Sequence, residues 1–207
     1  MRAITVAAAL LAAIFLGAAP AAAQTQRIVL AGGCFWGMQL VFSSLKGVDR
    51  AVAGYAGGNE DTAQYETVST GSTGHAESVE ITYDPATISF KQLLDVYFLV
   101  AHDPTELNRQ GPDTGTQYRS EIFYTTGDQR TAALAYIAHL DKSAILSARV
   151  VTVVAPLRGF YPAEAYHQNF ALQNPSNPYI VINDLPKLKK LRAEYPNLVK
   201  TNAPFGP

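Results

Sequence analysis

The stretch Arg27-Ile28-Val29-Leu30-Ala31-Gly32-Gly33-Cys34-Phe35-Trp36-Gly37 changes its pattern partway along. Arg27 to Ala31 is a short apolar run, a strand candidate. Gly32-Gly33 breaks it, and beyond Cys34 the apolar residues Phe35, Met38, Val41, Phe42 and Leu45 recur at helical spacing. Gly47, following Lys46, suits a helix C-cap. Cys34 is thus expected at a strand–Gly-Gly–helix junction, close to the helix N-terminus.

Outward from this junction, Val48 to Ala56 reads as a second strand that ends at Gly57-Gly58. Asn59 to Gly74 is polar and reads as irregular, with one helical turn. Glu77 to Tyr83 alternates like a strand and stops at Asp84-Pro85. Ser89 and Gln92 form a capping box for a helix running through Leu93, Leu94, Tyr97 and Phe98 toward Val100. His102 to Gln117 is a loop too long for mere punctuation, and such loops are often functional. Tyr118 to Thr125 reads as a strand, and Asp128 to Leu146 as a helix with apolar Ala132, Leu134, Ala135, Ile137, Ala138 and Ile145. Arg149 to Ala155 is a β-branched strand. From Pro156 the chain is rich in proline and aromatics and is expected to wrap the core, with a last helix over Pro186 to Arg192. Strands alternate with helices and at least one β–β connection, which favours a two-layer α+β or α/β domain with a mixed sheet.

The chain has 207 residues, 48% hydrophobic and 16% charged, enough apolar surface for one core. A net charge of -1 carries no basic excess of the kind that binds nucleic acid. Residues 1–23 read as a signal peptide. Arg2 precedes an apolar run from Ile4 to Leu16, and Ala21-Ala22-Ala23 predicts cleavage before Gln24. That run falls short of the ~20 residues that span a bilayer. Export to a periplasm or to the outside is therefore expected, without stable membrane association. Residues 24–207 are expected to form one catalytic domain.

Cys34 is the sole cysteine, so no internal disulfide can form. A buried small hydrophobe is the commoner fate of a free cysteine. The setting of Cys34 argues for chemistry instead. A thiol at a helix N-terminus faces unpaired N–H groups and the positive end of the dipole, both of which favour thiolate. Phe35 and Trp36 suit either an apolar wall beside the sulfur or packing in the core. The histidines His75, His102, His139 and His167 show no metal-ligand spacing with Cys34, and no metal or bound cofactor is expected. A nucleophilic cysteine fits two chemistries. Acyl transfer needs a His base, for which His75, His102 or His167 could serve. Attack on oxidised sulfur needs a proton donor for the departing oxygen instead. A secreted binding protein with a structural Cys34 is a third reading.

Gly33-Cys34-Phe35-Trp36-Gly37 resembles the active-site signature of the peptide methionine sulfoxide reductase A family. Four further blocks agree in order: Ala53-Gly54-Tyr55-Ala56-Gly57-Gly58; Tyr65 with Gly74-His75-Ala76-Glu77; His102-Asp103-Pro104-Thr105; and Asp113-Thr114-Gly115-Thr116-Gln117-Tyr118-Arg119-Ser120. The resemblance covers roughly residues 27–183.

The resemblance implies a two-layer sandwich with a ferredoxin-like core and long coil segments. It implies that Cys34 attacks the sulfoxide sulfur, that Glu77 protonates the oxygen with help from Tyr65 and Tyr118, and that Asp113 positions this network. Phe35 and Trp36 would cradle the S-methyl group. The reaction would repair (S)-methionine sulfoxide, in proteins or free, and leave Cys34 as a sulfenic acid. Many members resolve that acid with a second, C-terminal cysteine. Here the tail Asn177 to Asp184 has none, so an external thiol or a thioredoxin- or glutaredoxin-like reductant is implied. The family also implies a monomer. Without the resemblance, Glu77 would read as a strand-edge surface carboxylate, and Tyr65, Tyr118 and Asp113 as loop residues without a special role.

Overall fold

The computed structural model describes residues 25–205. The expected signal peptide lies outside the described residues. The first strand, β1, spans Gln26–Gly32 and is followed by helix α1, Phe35–Ser43. Then come β2 (Val48–Ala56), a short helix α2 (Tyr65–Val68), β3 (Ala76–Tyr83) and α3 (Phe90–Val96). A small hairpin of β4 (Arg109–Gln110) and β5 (Asp113–Thr114) precedes β6 (Ser120–Tyr124) and the long helix α4 (Gly127–Ser143). The chain ends with β7 (Val153–Pro156), β8 (Phe160–Pro162), α5 (Phe170–Gln173) and α6 (Leu185–Glu194).

One six-stranded sheet runs in the order β7-β6-β1-β3-β2-β8. Its pairs are antiparallel except β6 with β7, so the sheet is mixed. The succession β1-α1-β2-β3-α3-β6, with sheet order β6-β1-β3-β2, is the ferredoxin-like split β-α-β, extended at its edges by β7 and β8. The helices cover one face. There Ile28, Leu30, Val79, Ile81 and Ile122 pack with Met38, Val41 and Phe42 of α1 and Leu93 and Leu94 of α3. On the other face Val29, Ala31, Ala56, Ala76 and Phe123 meet Ala155, Leu157 and Phe160.

Local signals were decisive where they were strong. Ser89 caps α3 as a reciprocal box, its side chain accepting from the Gln92 N–H while Gln92 accepts from the Ser89 N–H. The helix does not reach Val100 in regular form; it widens into a π-turn over Tyr97–Ala101. Four other expectations need correction. The strand expected from Arg149 pairs only from Val153, because parallel pairing with β6 begins at Glu121↔Val153. The strand expected from Tyr118 begins at Ser120, since Tyr118 closes a 3-10 turn. Asn59 to Gly74 holds two short helical pieces rather than one turn. The helix expected to run to Leu146 stops at Ser143, so Ile145 lies outside it; Leu134 and Ile145 are exposed, and Gln129, Ala133 and Leu140 take the buried side of α4.

Candidate active site

Cys34 is the N-cap residue of α1, at the point where β1 leaves the sheet. Two backbone approaches fix the turn before it. Gly32 lies against the His102 ring, and Gly33 holds φ +87, where a Cβ would sit 2.5 Å from the Gln110 side chain. No larger residue fits there without moving the loop.

Cys34 is only 8% exposed, and this decides its ionisation. Burial drives the Cys34 pKa well above its ordinary value, and the charges of Glu77 and Asp184 add to the rise. The Trp36 N–H and Lys187 pull the other way and do not prevail. The thiolate expected from the helix N-terminus alone is therefore overridden: a partial charge at a helix end is outweighed by loss of water.

Glu77 comes from β3, directly across the sheet from Tyr55. It shares the helix-covered face with Val79 and Ile81, since strand side chains alternate. Its Oε2 accepts the Phe35 N–H at 3.0 Å, so the carboxyl is tied to the first turn of α1. The side chain is buried, not a surface carboxylate. Burial raises its pKa to about 8, the Phe35 N–H opposing and the Asp113 charge reinforcing the rise. Near neutral pH this carboxyl keeps its proton.

Tyr65 on α2 and Tyr118 after β5 are half-buried. Burial raises the pKa of both phenols first, and the charges of Glu77 and Cys34 raise them further. Among the described residues no hydrogen bond joins either hydroxyl to Glu77. Asp113 on β5 accepts the hydroxyl proton of Tyr179 through Oδ2. Phe35 is fully buried, 5.0 Å between centroids from the His167 ring. Trp36 is half-buried and stacks on Phe170 at 3.9 Å and 16°. Both readings of the aromatics thus have a share: Phe35 is core, and Trp36 forms the open wall.

Sequence reasoning missed several parts, and it offered His167 only as a possible base. His167 lies inside the aromatic wall, and its Nδ1 accepts the Trp36 indole N–H at 3.1 Å. Nε2 therefore carries the proton, and it is buried without a partner. Glu164 receives the Tyr55 hydroxyl and the Tyr65 N–H, at 2.8 and 2.9 Å, and so anchors α2 to the sheet. Asp184 and Lys187 sit against Gly37 in the first turn of α1. The one visible signal was a carboxylate, Asp184, embedded in the apolar run from Tyr179 to Leu185.

The histidines considered as bases, His75, His102 and His167, are committed elsewhere, His167 to the Trp36 indole. His75 accepts the Gly58 N–H and bonds the Asn59 carbonyl. His102 spans the Tyr97 carbonyl and Ser120 Oγ, and burial lowers its pKa to about 4. His139 is exposed on α4. Among the described residues no imidazole is hydrogen-bonded to Cys34, and no three His, Cys, Asp or Glu side chains gather as a metal site.

A thiol paired with a protonated carboxyl, rather than with an imidazole, suits reduction of an oxidised sulfur better than acyl transfer. The class is a cysteine oxidoreductase. Comparison with known proteins agrees. The family described as peptide methionine sulfoxide reductase matches residues 26–198. A peptide methionine sulfoxide reductase, MsrA 2, of Mesorhizobium japonicum is 56% identical over 178 residues, covering 86% of this chain and 91% of the relative. An MsrA of Chromobacterium violaceum is 49% identical over 84% of this chain and 99% of its own. The solved reduced form of Mxr1 from Saccharomyces cerevisiae superposes with a TM-score of 0.70 at 33% identity, covering 75% of this chain and 88% of that one. The chain belongs to the peptide methionine sulfoxide reductase family, and its likeness is to the A type.

Proposed function

We propose that this enzyme reduces the S epimer of methionine sulfoxide, in oxidised proteins and as the free amino acid, with Cys34 as nucleophile. The Cys34 thiol gives up its proton and its sulfur attacks the sulfoxide sulfur while Glu77 delivers a proton to the sulfoxide oxygen; the proton from the thiol returns to Glu77, so none is consumed. Tyr65 and Tyr118 steady that oxygen by hydrogen bonds, and Asp113 holds the network through Tyr179. Trp36, backed by Phe35, receives the S-methyl group. The S–O bond breaks as the oxygen passes to Cys34, so methionine leaves and Cys34 becomes a sulfenic acid. One external thiol then condenses with the sulfenic acid, releasing water and forming a mixed disulfide. A second thiol cleaves that disulfide and restores Cys34.

The observation that carries this reading is the buried Glu77 carboxyl, held on the first turn of the helix that Cys34 caps, with a pKa of about 8. No other cysteine is present to resolve the sulfenic acid, which supports a thioredoxin- or glutaredoxin-like reductant or a small thiol. Residues 1–23 support export, to a periplasm or to the outside. The enzyme acts as a monomer in repair of oxidative damage.

The test uses separated epimers of a methionine sulfoxide peptide with dithiothreitol, the protein and its Cys34→Ser variant side by side, and methionine read by mass. Reduction of the S epimer alone, lost in the variant, is the expected result. Folded protein that reduces neither epimer overturns the reading.

A further inference from the structure

We propose that Lys187, held by Asp184 on the first turn of α1, is a positioning residue whose charge favours the ionised form of Cys34. The inference rests on Cys34 being the nucleophile.

The tail that lacks a second thiol delivers a charge pair in its place. After Tyr179 the chain makes a π-turn over Ile180–Asp184, and Pro186 starts α6. That turn carries Asp184 to a position with no exposed surface. Its Oδ1 meets the Lys187 ammonium at 3.3 Å, and its Oδ2 is buried with no partner. Both groups lie on Gly37, three residues along the helix from the N-cap Cys34. A Cβ there would collide with Asp184 Oδ1 and come within 3.0 Å of Lys187 Nζ.

A buried carboxylate with an empty oxygen is costly by itself. It is tolerable here because it immobilises an ammonium whose side chain is only 19% exposed. The groups facing this region are mostly acidic or neutral: Glu77 on β3, Asp113 on β5, Tyr118 after it, Tyr65 on α2 and Tyr179 from the tail. His102, whose pKa Lys187 helps to lower, stays neutral near pH 7. Among the described residues Lys187 is the cation that acts on Cys34.

Its charge serves two steps. It favours the thiolate that attacks the sulfoxide. It also favours the thiolate released when an external thiol attacks the partner sulfur of the mixed disulfide, breaking the S–S bond and leaving the electron pair on Cys34.

Cys34 is the chain's one thiol, so its alkylation by iodoacetamide across pH reads this property whether or not sulfoxide is reduced. Lys187→Met is expected to move the midpoint up by about one pH unit and slow alkylation at pH 8 by about 10-fold. Lys187→Arg should follow the unaltered protein. Asp184→Asn should lower the midpoint, and adding Lys187→Met to it should raise it again. Circular dichroism checks that each variant is folded. If Lys187→Met does not fold, the comparison of Asp184→Asn with the double variant carries the test alone. Superimposable profiles with and without Lys187 would overturn the proposal. Loss of sulfoxide reduction with these shifts intact would instead count against the proposed function.

Discussion

Glu77 Oε2 accepts the backbone N–H of Phe35 at 3.0 Å, across 42 residues of chain. A central strand thereby fixes its one core-facing carboxyl to the turn that presents Cys34. The geometry makes Glu77 an acid below pH of about 8 and a carboxylate above it. Activity should therefore fall as pH rises through about 8. Glu77→Gln should lose about 10²- to 10⁴-fold in kcat, the usual worth of a general acid, and lose that alkaline limb. Rate–pH profiles of both proteins check this.

The same carboxyl makes a stability prediction. Its folded pKa is raised, so the folded state holds the proton more tightly than the unfolded one. The stability it lends is full below the ordinary carboxyl range and is lost as pH rises through about 8. Glu77→Gln should therefore denature at higher urea than the unaltered protein at pH 9, with the gap closing toward pH 4. A gap independent of pH would contradict the buried, protonated carboxyl.

His102 works in the other direction. Burial holds its folded pKa to about 4, below the ordinary histidine value. The stability it contributes is present above that ordinary value and is lost as pH falls toward about 4. Replacing it with Gln should flatten the decline between those limits, seen as a smaller drop in urea midpoint from pH 7 to pH 4.

Trp36 joins His167 through its indole N–H and stacks on Phe170. Trp36→Phe keeps an aromatic face but removes the donor, leaving His167 Nδ1 unpaired. We expect kcat/KM for a sulfoxide peptide to drop about 10-fold, corresponding to one buried hydrogen bond of ~1.4 kcal/mol. An unchanged kcat/KM would show that the indole N–H has no part in shaping the wall.

Gly37→Ala should destabilise the fold by about 1–3 kcal/mol, because the added methyl meets the Asp184 carboxyl, its Cγ at 2.7 Å. Ser89→Ala, at a cap far from the site, should cost about 1 kcal/mol and leave activity unchanged. Urea titrations alongside activity assays separate the two.

The sequence alone determined whatever local chemistry controls. The strand–Gly-Gly–helix junction at Cys34, the Ser89 box and the strand over Val48–Ala56 follow from period, caps and turn residues within a few positions. Glu77 carried a legible signal too, being in phase with Val79, Ile81 and Tyr83, although period alone does not say which face is dry. The tertiary structure decided the rest. Phe160–Pro162 became a strand only because β2 lay open to pair with it. Cys34 and Glu77 hold raised pKa values because both lose water in the fold, and Asp184 is brought to the first turn of α1 from far along the chain. Ionisation answers to dielectric and to charges brought near in space, and neither is set by the order of residues until the chain has folded.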